Sequence, residues 1–202
     1  EIRTGAVLET PYAGLPFTDR FRYDWRADLR FNARLLLRFL EDRPLPAPER
    51  WNLIGHSQGG LLIVLASKLA GDPAAFARLV GKVVLGGTPP AGTERATEAL
   101  LLGRDDLGEQ REGAIKAAAR TWPALYQMLP AWHAVVDGNG KSLPPDRQLT
   151  APDGWPGLVG GVGGIDADHL ARARETQLLL SGPFSHFAPS VDVFVIFGER
   201  QM

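Results

Sequence analysis

The chain has 202 residues, 45% of them apolar and 22% charged, with a formal net charge of −1. That length allows one domain with a buried core, and the near-neutral balance offers no broad basic surface for nucleic acid or anionic lipid. Cysteine is absent, which excludes disulfides and thiolate metal sites; no apolar run reaches the roughly 18 residues a membrane-spanning helix needs, and no secretory signal is visible, a combination that favours a cytoplasmic location.

Residues 21–25 form a short strand candidate, followed by Asp28 as a helix N-cap. Leu29, Ala33, Leu36 and Leu40 recur at helical spacing, while Arg30, Arg34 and Arg38 make a charged stripe expected to face solvent. Pro44, Pro46 and Pro48 end that helix and stiffen the connector. Residues 51–54 read as a strand, 60–69 as a helix apolar around its whole circumference, 76–80 as a short helical piece, and 82–86 as another strand. This alternation predicts parallel pairing through right-handed crossovers. The strands are continuous apolar runs, the pattern of a sheet covered on both faces.

Residues 93–135 read as helices broken by Gly103, Gly108, Gly113 and Pro123; 137–164 are rich in Gly and Pro and loop-like; 166–180 are helical. The run VDVFVIF at 191–197 returns to a buried-strand pattern, and the chain stops just after it. The expected organisation is a core sheet over 1–92, an inserted cap over 93–185, and a returning core strand over 186–202. A chain that begins at Glu1 and stops beside a core strand reads as a piece of a larger protein, incomplete at both ends.

Between the strand at 51–54 and the helix that follows stands GHSQGG, residues 55–60. A serine between glycines at a strand-to-helix turn has a mechanical reason: the chain turns so sharply that the central residue takes a strained backbone conformation, and its Oγ stands clear at the sheet edge. Residues two before and two after must be small, which singles out Gly55 and Gly59. The helix N-terminus behind Ser57 favours negative charge, and the backbone N–H of Gln58 can donate to an oxyanion. His56 is expected to be structural, and Gln58 to contribute its backbone rather than its amide.

Other features have plainer readings. The glycine-rich GGVGG at 160–164 lacks a preceding strand and a Lys-Ser/Thr ending, so it reads as a loop and not a phosphate cradle. Asp166 reads as a helix cap, with Asp168 and His169 exposed, and no metal site is expected. Trp122, Tyr126, Met128, Leu129 and Trp132 are either cap core or the lining of an acyl pocket over Ser57, with Trp122, Tyr126 and Trp132 the pocket candidates. Asp24 and Arg26 follow a strand candidate and could sit near the site, but read first as structural, as an ion pair.

The sequence resembles the α/β-hydrolase superfamily, and within it the lecithin:cholesterol acyltransferase-like lipases and esterases. GHSQGG carries the resemblance, with RTGAVLE at 3–9, FRYDWR at 21–26, KVVLGGTPPAGT at 82–93 and RTWPALYQMLP at 120–130. The match is specific over the first 130 residues and looser afterwards. It implies an α/β fold with a mostly parallel sheet, helices on both faces and a helical cap insertion. It also implies a Ser-Asp-His triad in that order, with the acid after the strand at 191–197 and the histidine later still; neither has a matching position before Met202. The first oxyanion loop is expected before Glu1. His133 and His169 lie in the inserted region, His186 precedes a strand at the wrong edge of a parallel sheet, and Glu199 is at the right edge for an acid but has no histidine after it, so this stretch alone is expected to be nearly inactive.

Two functions of different class follow. The first is a serine hydrolase or acyltransferase that forms an acyl-enzyme on Ser57 from carboxylic, lipid-like esters, with no metal or organic cofactor. The second is a non-catalytic binding or scaffold module on the same fold. Neither composition nor pattern fixes the oligomeric state.

Overall fold

The computed structural model describes residues 19–103, 112–132, 134–145, 148–155, 164–182 and 184–198. The 3–9 segment, Gly108, His133, residues 160–163 and Glu199 lie outside them.

Helix α1 (Leu29–Glu41) starts where Asp28 accepts hydrogen bonds from the Arg30 and Phe31 amides at 2.8 and 3.1 Å. Its apolar stripe, Leu29, Ala33, Leu36 and Leu40, is buried, and Arg34 and Arg38 face solvent; Arg30, expected to do the same, is half-buried because its guanidinium donates to Glu175 at 2.7 Å. Strand β1 (Trp51–His56) runs into α2 (Gln58–Leu69), whose residues Gly60 through Ser67 are all buried. Leu61, Leu62 and Leu65 are essentially inaccessible, each adding about 2 kcal/mol relative to exposure. Helix α3 (Pro73–Leu79) has Pro at its first position and Asp72 as cap, then feeds β2 (Val80–Gly86). Beyond β2 come α4 (Glu94–Leu102), α5 (Glu112–Ala119), α6 (Pro123–Gln127) and α7 (Ala167–Leu180) before β3 (Asp192–Ile196). Gly103 ends α4 in the left-handed conformation at φ 66°, as a C-cap glycine should. Gly113, expected to interrupt the helices, lies inside α5; the first turn of a helix tolerates a residue with no side chain to pack.

The chain is α/β: β1, β2 and β3 form a parallel sheet in that order, with Ile54, Val84 and Phe194 in one row across it. One face packs on a core that includes Leu36, Leu40, Leu61, Leu65, Val83 and Leu85. The opposite face exposes Ile54 (57%), Phe194 (53%) and Ile196 (61%) among the described residues, so the apolar runs of these strands are covered on one side there. Residues 21–25 do not join the sheet. They keep a strand's alternation, with Phe21 and Tyr23 half-buried and Arg22 and Asp24 exposed, but they hold by aromatic packing. Phe21 stacks on Tyr23 and meets Phe39 of α1 edge-on at 5.5 Å.

A second core forms among the helices between β2 and β3, around Leu100, Tyr126, Leu129, Trp155, Ile165 and Leu170. Gln127, 1% exposed, joins the two cores. Its Oε1 accepts from the Leu29 amide at 2.7 Å, and its Nε2 donates to Asp28 at 2.7 Å and to the Thr176 hydroxyl at 3.0 Å. One side chain thereby satisfies the start of α1, α6 and the middle of α7. Gln127→Leu strands the buried Leu29 amide, while the Thr176 hydroxyl keeps its bond to the Arg172 carbonyl at 2.9 Å, and we expect urea unfolding to show a loss of about 2 kcal/mol.

Candidate functional site

Ser57 has φ 52° and ψ −122°, and among the described residues it is the one non-glycine with positive φ. A conformation of this kind costs about 1–3 kcal/mol and persists only where its surroundings fix it. Here they do. The Ser57 amide donates to the Gly86 carbonyl at the end of β2 at 2.8 Å, and the Gly60 amide closes back on the Ser57 carbonyl at 3.1 Å. The serine therefore stands at the C-terminal edge of the parallel strands and at the N-terminal end of α2. Among the described residues its hydroxyl has no hydrogen-bond partner. The first amides of α2 have no intrahelical acceptor and aim at this end, with the helix dipole adding to their pull on negative charge.

The glycines divide differently from expectation. A Cβ on Gly55 would lie 2.6 Å from the Gly60 Cα and 2.7 Å from its N, so position 55 must be bare. A Cβ on Gly60 would collide with the Thr88 side chain, which belongs to the turn after β2. A Cβ on Gly59 would find its nearest neighbour, the Tyr23 hydroxyl, at 4.0 Å. The steric demand falls on Gly55 and Gly60 and not on Gly59, because the first turn of α2 leans on β1 and on the Thr88 turn through Gly60. Among the described residues the buried Thr88 Oγ1 has no partner there. A second glycine after GxSxG was the only sequence signal of this contact.

The Gln58 side chain has work of its own. Its Nε2 donates to the Trp25 carbonyl at 2.8 Å, and its Oε1 accepts a long bond from the Tyr23 hydroxyl at 3.4 Å. Burial raises the Tyr23 phenol above its ordinary pKa, so it stays a donor. Neighbouring carbonyls of the same segment are also engaged: Asp24 O accepts from buried Asn32 Nδ2 at 2.8 Å, and Arg26 O accepts from the Ala124 amide of α6 at 3.3 Å. An irregular segment is thus held by α1, α2 and α6 together.

Asp24 and Arg26 form an ion pair with two side-chain contacts at 2.9 and 3.0 Å. The guanidinium hydrogen bonds hold the Asp24 carboxyl below its ordinary pKa and raise that of Arg26. A depressed carboxylate supports the fold above its unfolded pKa and loses that support as pH falls through the folded value. Carbon-detected NMR titration should find Asp24 ionised into more acid solution than a free aspartate, and Arg26→Gln should return it towards the ordinary value.

His56 is exposed, its ring beside Gly86 and Gly87. His169 is half-buried, edge-on to Tyr126 at 5.0 Å, and its amide donates to Asp166, which caps α7. It is therefore less exposed than expected, because the ring packs into the second core; Asp168 is exposed as expected. His186 precedes β3, at the strand edge opposite Ser57. Among the described residues no group of acids and histidines is assembled to hold a metal. Tyr126 is fully buried, its hydroxyl donating to the Arg120 carbonyl at 2.8 Å, which makes it core. Trp122 is half-buried, Trp132 is 41% exposed, and Trp25, 50% exposed, meets Trp122 edge-on at 5.0 Å. No helix of the described residues is long and apolar enough to cross a membrane.

No protein-family model matches this sequence, and no curated protein matches it at a meaningful level. Among solved structures, a chain from the crystal structure of the Tle4–Tli4 complex is similar, with a TM-score of 0.55 and 16% identity. The likeness covers 84% of this chain and 42% of that one, so this chain spans less than half the length of its structural neighbour. At that identity the likeness is one of fold.

Proposed function

We propose that this chain carries the nucleophile of a serine hydrolase or acyltransferase of the α/β-hydrolase superfamily, of the lecithin:cholesterol acyltransferase-like kind, acting on lipid-like carboxylic esters. The observation that supports this most is the positive φ of Ser57 at the junction of β1 and α2. Such strain has little use without a hydroxyl to present.

In this reading the Ser57 Oγ attacks the ester carbonyl carbon while a general base, outside the described residues, takes its proton. The carbonyl oxygen becomes an oxyanion, held by the Gln58 backbone N–H and the dipole of α2; one such donor is worth about 3 kcal/mol of barrier. The tetrahedral carbon then expels the alkoxide, which takes the proton from the base and leaves as the alcohol. Water, or a second alcohol, attacks the acyl-enzyme and returns Ser57. The helices between β2 and β3 serve as a cap, with Trp122 and Trp132 facing substrate and Tyr126 stiffening the cap from within. No metal is needed for any of these steps.

The test is a fluorophosphonate probe on the full-length protein, followed by peptide mapping. Modification of Ser57 is expected. A folded full-length protein that takes up no probe would overturn the proposal in favour of a binding module on the same fold.

A further inference from the structure

We propose that Trp25 is the specificity-determining residue of this site, the wall along which the apolar acyl chain of the ester lies. This rests on the reading of Ser57 as the acyl-accepting nucleophile. Trp25 sits outside the sheet and the helices, yet its backbone is fixed from two sides. Its carbonyl accepts from Gln58, the residue next to Ser57, at 2.8 Å, and the carbonyl of the following residue, Arg26, accepts from Ala124 at the start of α6. The Trp25 ring lies edge-on to Trp122 at 5.0 Å and remains half exposed. A large apolar ring kept open to solvent, on a backbone one hydrogen bond from the side chain of the residue after Ser57, is a pre-formed apolar surface.

The charges nearby select what this surface takes. Arg26 is the adjacent cation, and both of its side-chain contacts go to Asp24, so this guanidinium is not directed at an anionic headgroup. Beside that pair stand the Trp25 and Trp122 rings. The acyl chain is the part of the substrate that stays on Ser57 through both half-reactions, so it is the part a fixed wall serves. Gln58 then has two functions in one residue: its backbone amide holds the oxyanion and its side chain holds the wall.

The experiment uses full-length wild-type protein and a dodecyl fluorophosphonate with a diazirine in its alkyl chain. Ser57 Oγ displaces fluoride from phosphorus and seats the chain. Light then expels dinitrogen and inserts the carbene into whatever adjoins it. We expect crosslinks on the peptides bearing Trp25 and Trp122. A probe that seats on Ser57 but crosslinks only elsewhere overturns the wall and leaves the nucleophile standing; a probe that never seats overturns the nucleophile reading itself. In parallel, Trp25→Ala should lower the preference for dodecanoate over acetate esters by about tenfold, mostly through KM, while Trp25→Phe retains most of it. Unchanged chain-length preference in a folded Trp25→Ala protein also overturns the wall.

Discussion

Replacing Ser57 by Ala in the full-length protein is expected to lower ester turnover by at least about 10^4-fold while leaving stability unchanged to within about 1 kcal/mol. The two halves of that expectation have separate causes. Turnover is expected to fall because the oxygen proposed to form the acyl bond is gone. Stability holds because alanine keeps the Cβ, and with it the backbone strain at φ 52°. Ser57→Gly tests the strain directly: glycine takes positive φ without cost, so it should be equally inactive yet more stable by about 1 kcal/mol, after allowance for its greater freedom when unfolded. Initial rates on a short-chain ester and urea unfolding of the three proteins give both readouts. Full turnover in Ser57→Ala would end the proposal of an acyl-enzyme.

Gly55→Ala is expected to be among the most damaging single substitutions to the fold. Its methyl would meet the Gly60 Cα at 2.6 Å, the Gly60 N at 2.7 Å and the Gly59 carbonyl carbon at 2.8 Å, all of them backbone that cannot rotate away. Relief requires α2 to slide off β1. Overpacking of this kind costs about 3 kcal/mol, and in a chain of this size each kcal/mol lowers Tm by about 2–4 °C. Gly59→Ala supplies the contrast. Its methyl meets nothing nearer than the Tyr23 hydroxyl at 4.0 Å, and the site lies in a helix, where alanine is favoured over glycine by about 0.5–1 kcal/mol. It should be neutral or mildly stabilising. Melting curves of the two variants decide between a steric demand set by GxSxG spacing and one set by the contact of α2 with its neighbours.

The elbow was legible because local chemistry produces it. A serine between glycines, an apolar strand before and an apolar helix after all agree, and agreement of local signals with the global fold is what makes a stretch readable. The same holds for the Asp28 and Asp166 caps and for the buried stripe of α1. Less legible was residue 21–25 as a packed arm. Its alternation is that of a strand, and nothing within it reveals that no neighbouring strand pairs with it among the described residues. The backbone N–H of Gln58 is legible in the sequence, since its position after Ser57 fixes the backbone; where its side chain reaches depends on a segment 33 residues earlier in the chain.

The sequence by itself determined the α/β class, the parallel strands, the strand-to-helix turn at Ser57 and the helix caps, because each follows from hydrophobic period or backbone sterics over a few residues. The tertiary structure alone decided that Gly60 and not Gly59 is crowded, that Gln127 binds α1, α6 and α7 together, that Tyr126 is core, and that Trp25 stands beside Trp122. Those facts are contacts between residues distant in the chain. Periodicity says which face of an element is apolar, but only packing says what lies against it.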